Sequence, residues 1–261
     1  MSGKEAQVYV VRCGEHVRAA KVYKEANKRS FKQAVQYQEG RNVRNSRRAR
    51  AMSKKTKYGQ KEAEEAWLSA EVDALYRLAA AGVRVPKPHG FVEGVLIMDL
   101  ITDGEGNAAP RLGEVDFTPE VAREYHALVL ADIVRMLCAG LIHGDLSEFN
   151  VLIDDSGPVI IDLPQAVNAA GNNSAAMMLE RDVQNMARYF GQFAPELLNT
   201  NYGKEIWEIY ESGRLHPDTK LTGQTKRPIK DADVNSVLSV IDHALKEELA
   251  RMERLRAAQE D

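Results

Sequence analysis

Cysteine is scarce in this chain: 261 residues hold only Cys13 and Cys138. Two thiols cannot build a disulfide framework and suit a reducing compartment. No run approaches the ~18 apolar residues of a membrane-spanning helix, and the N-terminus lacks an apolar signal core. The chain therefore reads as cytoplasmic, with no membrane partner. Neither sign of charge dominates, since 35 Lys+Arg stand against 38 Asp+Glu for a net −3. That balance excludes a global attraction to nucleic acid or anionic lipid, so any such contact must come from a local patch. Internal repeats are absent, and so are a triple-glycine loop and a GxxxxGK[ST] segment. What remains is 44% hydrophobic and 28% charged, an ordinary globular composition with enough length for one large domain or two modest lobes.

The two ends of the chain differ in character. Gln7–Val11 and Val17–Tyr23 read as strands joined by a Gly14-Glu15 turn, which predicts a hairpin. Between Gly40 and Lys61 stand nine basic residues (Arg41, Arg44, Arg47, Arg48, Arg50, Lys54, Lys55, Lys57, Lys61) and no acid. Such a stretch is either a solvated loop kept open by self-repulsion or a patch for phosphates and RNA backbone. From Lys61 to Ala81 the period becomes helical, with Trp67, Glu71, Leu75 and Leu78 on one face and Gly82 placed to end the helix. Short strands are expected near Phe91-Val92 and Val95–Met98. A helix is expected from Thr118 with Pro119 in its first turn and a stripe of Val121, Tyr125, Leu128, Ile133 and Leu137. Later helices are expected over 175–193 and 233–258. A strand-rich start followed by a helical remainder predicts an α+β fold with two lobes and a cleft between them.

The chemistry concentrates in His143-Gly144-Asp145-Leu146-Ser147-Glu148-Phe149-Asn150, which precedes an apolar run, and in Asp162, twelve residues after Asn150. An Asp, an Asn five residues on, then a strand and a second Asp form the catalytic and metal set of protein kinases. A transferring phosphoryl group concentrates negative charge, so a divalent cation must bridge its oxygens. Asn150 and Asp162 offer the hard oxygen donors that magnesium prefers. Asp145 then orients an attacking hydroxyl and accepts its proton. His143 reads as a backbone anchor that shapes the loop. Upstream, Lys21 on its strand matches the lysine that pairs nucleotide phosphates, and it supplies the cation that Glu71 requires on an apolar stripe.

On these residues the chain resembles the RIO family of atypical serine/threonine protein kinases. The likeness is carried by Ser2-Gly3-Lys4-Glu5-Ala6 with Val8-Tyr9, by Lys21-Val22-Tyr23, by His143 through Asn150, and by Ile160-Ile161-Asp162-Leu163-Pro164-Gln165-Ala166-Val167. Asp103-Gly104 and Ala109-Pro110-Arg111-Leu112 fit the family's inter-lobe segment. The resemblance implies a bilobal kinase-like fold that uses ATP with Mg²⁺ or Mn²⁺. It implies Asp145, Lys21 and Asp162 as catalytic residues and Asn150 and Asp162 as metal ligands. It places the nucleotide against Ser2, Gly3, Lys4, Glu5, Ala6 and Val8, against Lys21 and Glu71, and at a hinge of Met98, Leu100 and Ile101. The basic insert resembles the flexible loop of the first RIO subfamily, whereas Asp162-Leu163-Pro164 looks closer to the second.

The domains expected are an N-lobe over 1–101 with its basic insert at about 28–61, a C-lobe over 102–200, and a helical extension over 201–261 packed on the C-lobe. The family usually places a strand before its nucleotide loop, so the chain reads as starting inside that loop or lacking its first strand. No Ala-Pro-Glu segment follows Asp162, and the usual platform for peptide substrates is accordingly not expected. The activity implied is Ser/Thr phosphorylation with autophosphorylation, or an ATPase switch through a phosphorylated Asp162. A small-molecule phosphotransferase of the aminoglycoside or choline type stands as the alternative, as does a nucleotide-gated RNA or ribosome-assembly module using residues 41–61. The protein substrate is either another protein or the chain itself.

Overall fold

The computed structural model describes residues 6–23 and 57–224, the side chains of residues 57–67 and 69 excepted. Ser2 to Glu5, the basic stretch up to residue 56, the Trp67 side chain and the helix expected over 233–258 lie outside the described residues. The chain divides into two compact units at Gln224, and the first is the one described below.

Strands β1 (Ala6–Cys13) and β2 (His16–Tyr23) form the expected hairpin around Gly14-Glu15. Helix α1 (Lys57–Ala80) follows, and then β3 (Pro88–Val92) and β4 (Val95–Asp99) complete an antiparallel sheet of order β1-β2-β4-β3. Helix α1 starts at Lys57 rather than Lys61, so the end of the basic stretch is helical. Nothing from Lys57 to Lys61 forbids this, because Gly59 costs a helix only about 1 kcal/mol. The face expected to be buried is buried: Glu71, Leu75 and Leu78 are all under a tenth exposed, with Val72 beside them.

The helical half begins at α2 (Pro119–Cys138), whose cap is Thr118; its hydroxyl oxygen accepts a hydrogen bond from Val121 N at 3.4 Å. Short strands β5 (Leu141–Ile142), β6 (Val151–Asp154), β7 (Gly157–Ile160) and β8 (Val167–Asn168) pair as β5 with β8 and β6 with β7. Helices α3 (Ala175–Phe190) and α4 (Tyr202–Glu211) follow. One stripe differs from its expectation. In the first half of α2 the buried positions are Ala122, His126, Val129 and Leu130, while Val121, Tyr125 and Leu128 stay half-exposed. Hydrophobicity alone weights a valine over an alanine or a histidine. The packing decides differently, because small Ala122 admits close contact and the His126 ring lies 5.7 Å from those of Phe190 and Tyr202. Burial pushes the His126 imidazole down to about 4, so it packs as a neutral ring at physiological pH.

Helix α4 lies directly against α3, and Gly203 makes this possible. A Cβ there would stand 2.9 Å from Cα of Glu180, closer than carbon atoms approach. Beside it Glu205, buried in α4, accepts from Thr222 N, Thr222 Oγ1 and Gly223 N at 2.7–3.0 Å. That carboxylate ties the returning segment to the helix. Glu205→Ala is expected to cost about 2–4 kcal/mol, because it leaves these donors without their charged acceptor. Chemical denaturation reads the loss, and a change below about 0.5 kcal/mol would show that the segment needs no anchor.

Candidate active site

Three separate elements converge on Lys21. From β2 its ammonium Nζ lies 2.6 Å from Oε1 of Glu71 on α1 and 2.7 Å from Oδ1 of Asp162 after β7. Strand register explains the placement. Lys21 faces Val8 on β1 and Leu96 on β4, Ala19 faces Met98, and Tyr23 faces Ala6. Directly opposed residues share a sheet face, so Ala6, Val8, Ala19, Lys21, Tyr23, Leu96 and Met98 line one surface with α1 beneath Lys21. A cleft of about 490 Å³ bordered by Arg18, His89 and Ile97 opens on the other face of the sheet and is not part of this site.

Electrostatics follows from burial. The Lys21 and Glu71 side chains are 12% and 4% exposed. Burial alone would drive the proton off Lys21, but the negative charges of Glu71 and Asp162 outweigh it and hold the ammonium more firmly than in water. Asp162 shows the reverse balance. Burial pushes its carboxyl up, and the adjacent Lys21 charge more than reverses this, holding it below the usual carboxylate range. Tyr23 stands beside the pair with its ring 5.4 Å from Nζ, and burial followed by the Glu71 charge pushes its phenol far above the ordinary value.

Asp162 also has φ of +66°. Aspartate tolerates this left-handed conformation better than most residues but still pays in strain, which persists where the surroundings hold it. The constraint is visible one residue earlier: His143 donates from Nε2 to the Ile161 carbonyl at 3.1 Å, while its Nδ1 accepts from Asp145 N at 3.3 Å. His143 is 2% exposed and joins the catalytic loop to the segment bearing Asp162, the anchoring role its sequence position suggested.

Between His143 and Asp145 the backbone turns at Gly144 with φ of +81°, which favours glycine. Asn150 closes the loop by donating from Nδ2 to the Asp145 carbonyl at 2.8 Å. Its amide oxygen is thereby left as the hard donor. Asn150 and Asp162 fit a magnesium or manganese ion in chemical type, and they would hold it together with phosphate oxygens. Among the described residues no group of three His, Cys, Asp or Glu gathers as a metal cage.

The sequence expectation missed the support under this loop. Asp182 on α3, 2% exposed, accepts from Gly144 N at 2.7 Å and from Leu146 N at 3.0 Å. Asn185 donates to the Leu146 carbonyl at 3.0 Å, and Arg181 donates to the Gly144 carbonyl. Burial pushes the Asp182 carboxyl up, against the pull of His143 and the two N–H donors. A signal for Asp182 exists: it sits among Met178, Leu179, Val183 and Met186 on an apolar stripe, the same anomaly that marked Glu71.

The remaining site residues are placed as follows. Ala6 and Val8 share the Lys21 face; Met98 is the penultimate residue of β4, and half-buried Leu100 and Ile101 follow the strand. The Ile101 carbonyl already accepts from Ala109 N at 3.0 Å, so the hinge is braced from within. Ser2, Gly3, Lys4 and Glu5 lie outside the described residues. After Asp162 the chain dives into the core through Leu163, Ala166, Val167 and Ala169, each under a tenth exposed.

A four-stranded sheet with one helix, a helical lower half, and a lysine held between a helix glutamate and an aspartate beyond the catalytic loop define a protein-kinase-like molecule. The RIO domain family model matches residues 7–202. Similar proteins include the RIO-type serine/threonine-protein kinase Rio1 of Haloferax volcanii, 42% identical over 130 residues that cover 48% of this chain and 42% of that protein. The Rio1 of Methanocaldococcus jannaschii is 31% identical over 221 residues, covering 83% and 68%. The serine/threonine-protein kinase RIO1 of Chaetomium thermophilum is 30% identical over 275 residues, covering 99% and 48%. This chain belongs to the RIO family. It spans less than half the length of the Haloferax and Chaetomium relatives. The family match extends well past His143-Gly144-Asp145, over residues 7–202. Among the described residues no helix is long and apolar enough to cross a membrane.

Proposed function

We propose that this protein is an ATP-dependent phosphotransferase of the RIO kinase type, acting on serine or threonine hydroxyls, its own included. The observation that carries the reading is Lys21 held at hydrogen-bond distance from both Glu71 and Asp162. An ammonium so placed is fixed in position and always charged, as phosphate binding requires. A divalent cation on Asn150 and Asp162 would neutralise charge developing on the transferring group. Lys21 binds the phosphates of ATP, and the surface of Ala6, Val8, Ala19 and Met98 receives the nucleoside with the hinge backbone at 98–101. Asp145 takes the proton of the incoming hydroxyl as its oxygen bonds to the γ-phosphorus and the bond to ADP breaks. In the ATPase variant an Asp162 oxygen is the nucleophile instead, and water later releases inorganic phosphate.

The buried course of the chain after Asp162 supports self-directed or switch-like chemistry over capture of an extended peptide. The Arg41–Lys61 stretch is read as the contact to an RNA or ribosomal partner, and the two exposed thiols suit a reducing cytoplasm. Purified protein incubated with γ-labelled ATP and Mg²⁺ is expected to label itself. Label stable to acid and hydroxylamine identifies phosphoserine or phosphothreonine; label released by hydroxylamine identifies an acyl phosphate at Asp162. No labelling and no phosphate release would overturn the reading.

A further inference from the structure

The inter-lobe segment carries a cation that the proposed chemistry has not used. After the hinge the chain makes a closed turn in which Asp103 Oδ1 accepts from Glu105 N and Asn107 N. It then runs alongside β6: Ile153 N donates to the Pro110 carbonyl at 2.9 Å, and Arg111 sits opposite Leu152 in an antiparallel bridge. The register fixes which way Arg111 faces. In the β6–β7 pair, Val151 and its partner Ile160 are both fully buried in the core. Strand neighbours alternate between faces and directly opposed residues share one. Leu152 therefore lies on the face away from the core, and Arg111 with it. Asn150 immediately precedes β6 and Ile161 immediately follows β7, and the Ile161 N–H donates to the Asn150 carbonyl at 2.9 Å, so the strand pair leads directly to Asp162. Arg111 is only partly exposed, and among the described residues its guanidinium forms no ion pair.

We infer that Arg111 is a second cationic contact for the polyphosphate of the bound nucleotide, approaching from the β6 side of the cleft while Lys21 approaches from the sheet. The chemistry fits. Lys21 is a compact charge already shared between two carboxylates, whereas the Arg111 guanidinium, unpaired among the described residues, offers a planar fork matched to phosphate oxygens. It stands opposite Leu152, two residues after Asn150, on the strand pair that leads to Asp162; Asn150 and Asp162 are the two residues that would share an ion with those phosphates.

This inference rests on the kinase reading, and the test separates the two. Affinities of the full chain for ATP, ADP and adenosine are compared by calorimetry in the unmodified protein, Arg111→Met and Arg111→Lys. Arg111→Met is expected to weaken ATP and ADP by about tenfold, the worth of one charge-assisted contact, and to leave adenosine within about twofold. Arg111→Lys should recover only part of the loss, since it restores the charge but not the fork, and melting temperatures should agree, since no buried pair is broken. Equal weakening of adenosine and ATP would overturn the inference in favour of a packing role. Unchanged affinity for every ligand would overturn it too, including where only transfer to an acceptor falls, because Arg111 would then serve the acceptor. If the unmodified chain binds no ATP, the kinase reading falls and this inference falls with it.

Discussion

Asp162→Asn is expected to leave the protein folded and to lower phosphoryl transfer about a thousandfold or more. The amide keeps the size of the side chain and, like aspartate, tolerates the φ of +66°. Strain is therefore nearly unchanged, which Asp162→Ala would not ensure. What disappears is a full negative charge at the position proposed to hold the divalent cation. Metal-assisted charge stabilisation is worth several kcal/mol, and about 4 kcal/mol corresponds to a thousandfold in rate. Stability should change little. The Asp162 side chain is 48% exposed, so its pairing with Lys21 is screened by water, and Lys21 keeps Glu71. The measurements are single-turnover phosphorylation and the apparent affinity for Mn²⁺, which should weaken at least tenfold. Hydroxylamine-labile label, if the unmodified protein forms it, should vanish. Turnover near the unmodified rate would remove Asp162 from the metal and nucleophile roles together.

The second large effect lies away from the reacting atoms. Asp182→Ala removes the buried acceptor of two backbone donors, Gly144 N and Leu146 N, which flank Asp145. Each donor left unsatisfied in the interior costs about 1–3 kcal/mol, so a loss of about 2–5 kcal/mol is expected in denaturant unfolding. Activity should fall further than the folded fraction does, because Asp145 loses the frame that aims it. Asp182→Asn should fall between, keeping one acceptor oxygen while setting an amide N–H₂ against the other donor. The distinguishing readout is the split between KM and kcat at a temperature where every variant is folded. ATP affinity should hold, since Lys21 and Glu71 are untouched, and kcat should drop. A variant that loses stability but keeps kcat would make Asp182 a residue of the fold alone.

Much of the site was legible because chemistry imposes spacing. Asp145, Asn150 and Asp162 occur at separations that a loop and a strand pair must span, and Glu71 announced itself as an acid on an apolar stripe that demanded a cation. Lys21 supplied that cation from 50 residues away, at 2.6 Å. Asp182 carried the same signal on α3 and was passed over, because without the fold nothing indicated that its partners would be backbone N–H groups of the catalytic loop. The α2 stripe failed for a related reason: periodicity sets the face of a helix to within about one residue, and the fit of Ala122 and His126 against Phe190 and Tyr202 decides the rest.

The sequence by itself determined the family and the α+β order of elements, since these depend on local pattern. Only the tertiary structure decided that Lys21 meets Asp162 as well as Glu71, that α3 holds the 143–150 loop through Asp182, and that Arg111 lies opposite Leu152 on β6. Each of these turns on strand register or on the packing of elements distant in the chain. Such contacts are fixed by which buried donors and charges must find partners, and no local pattern encodes that choice.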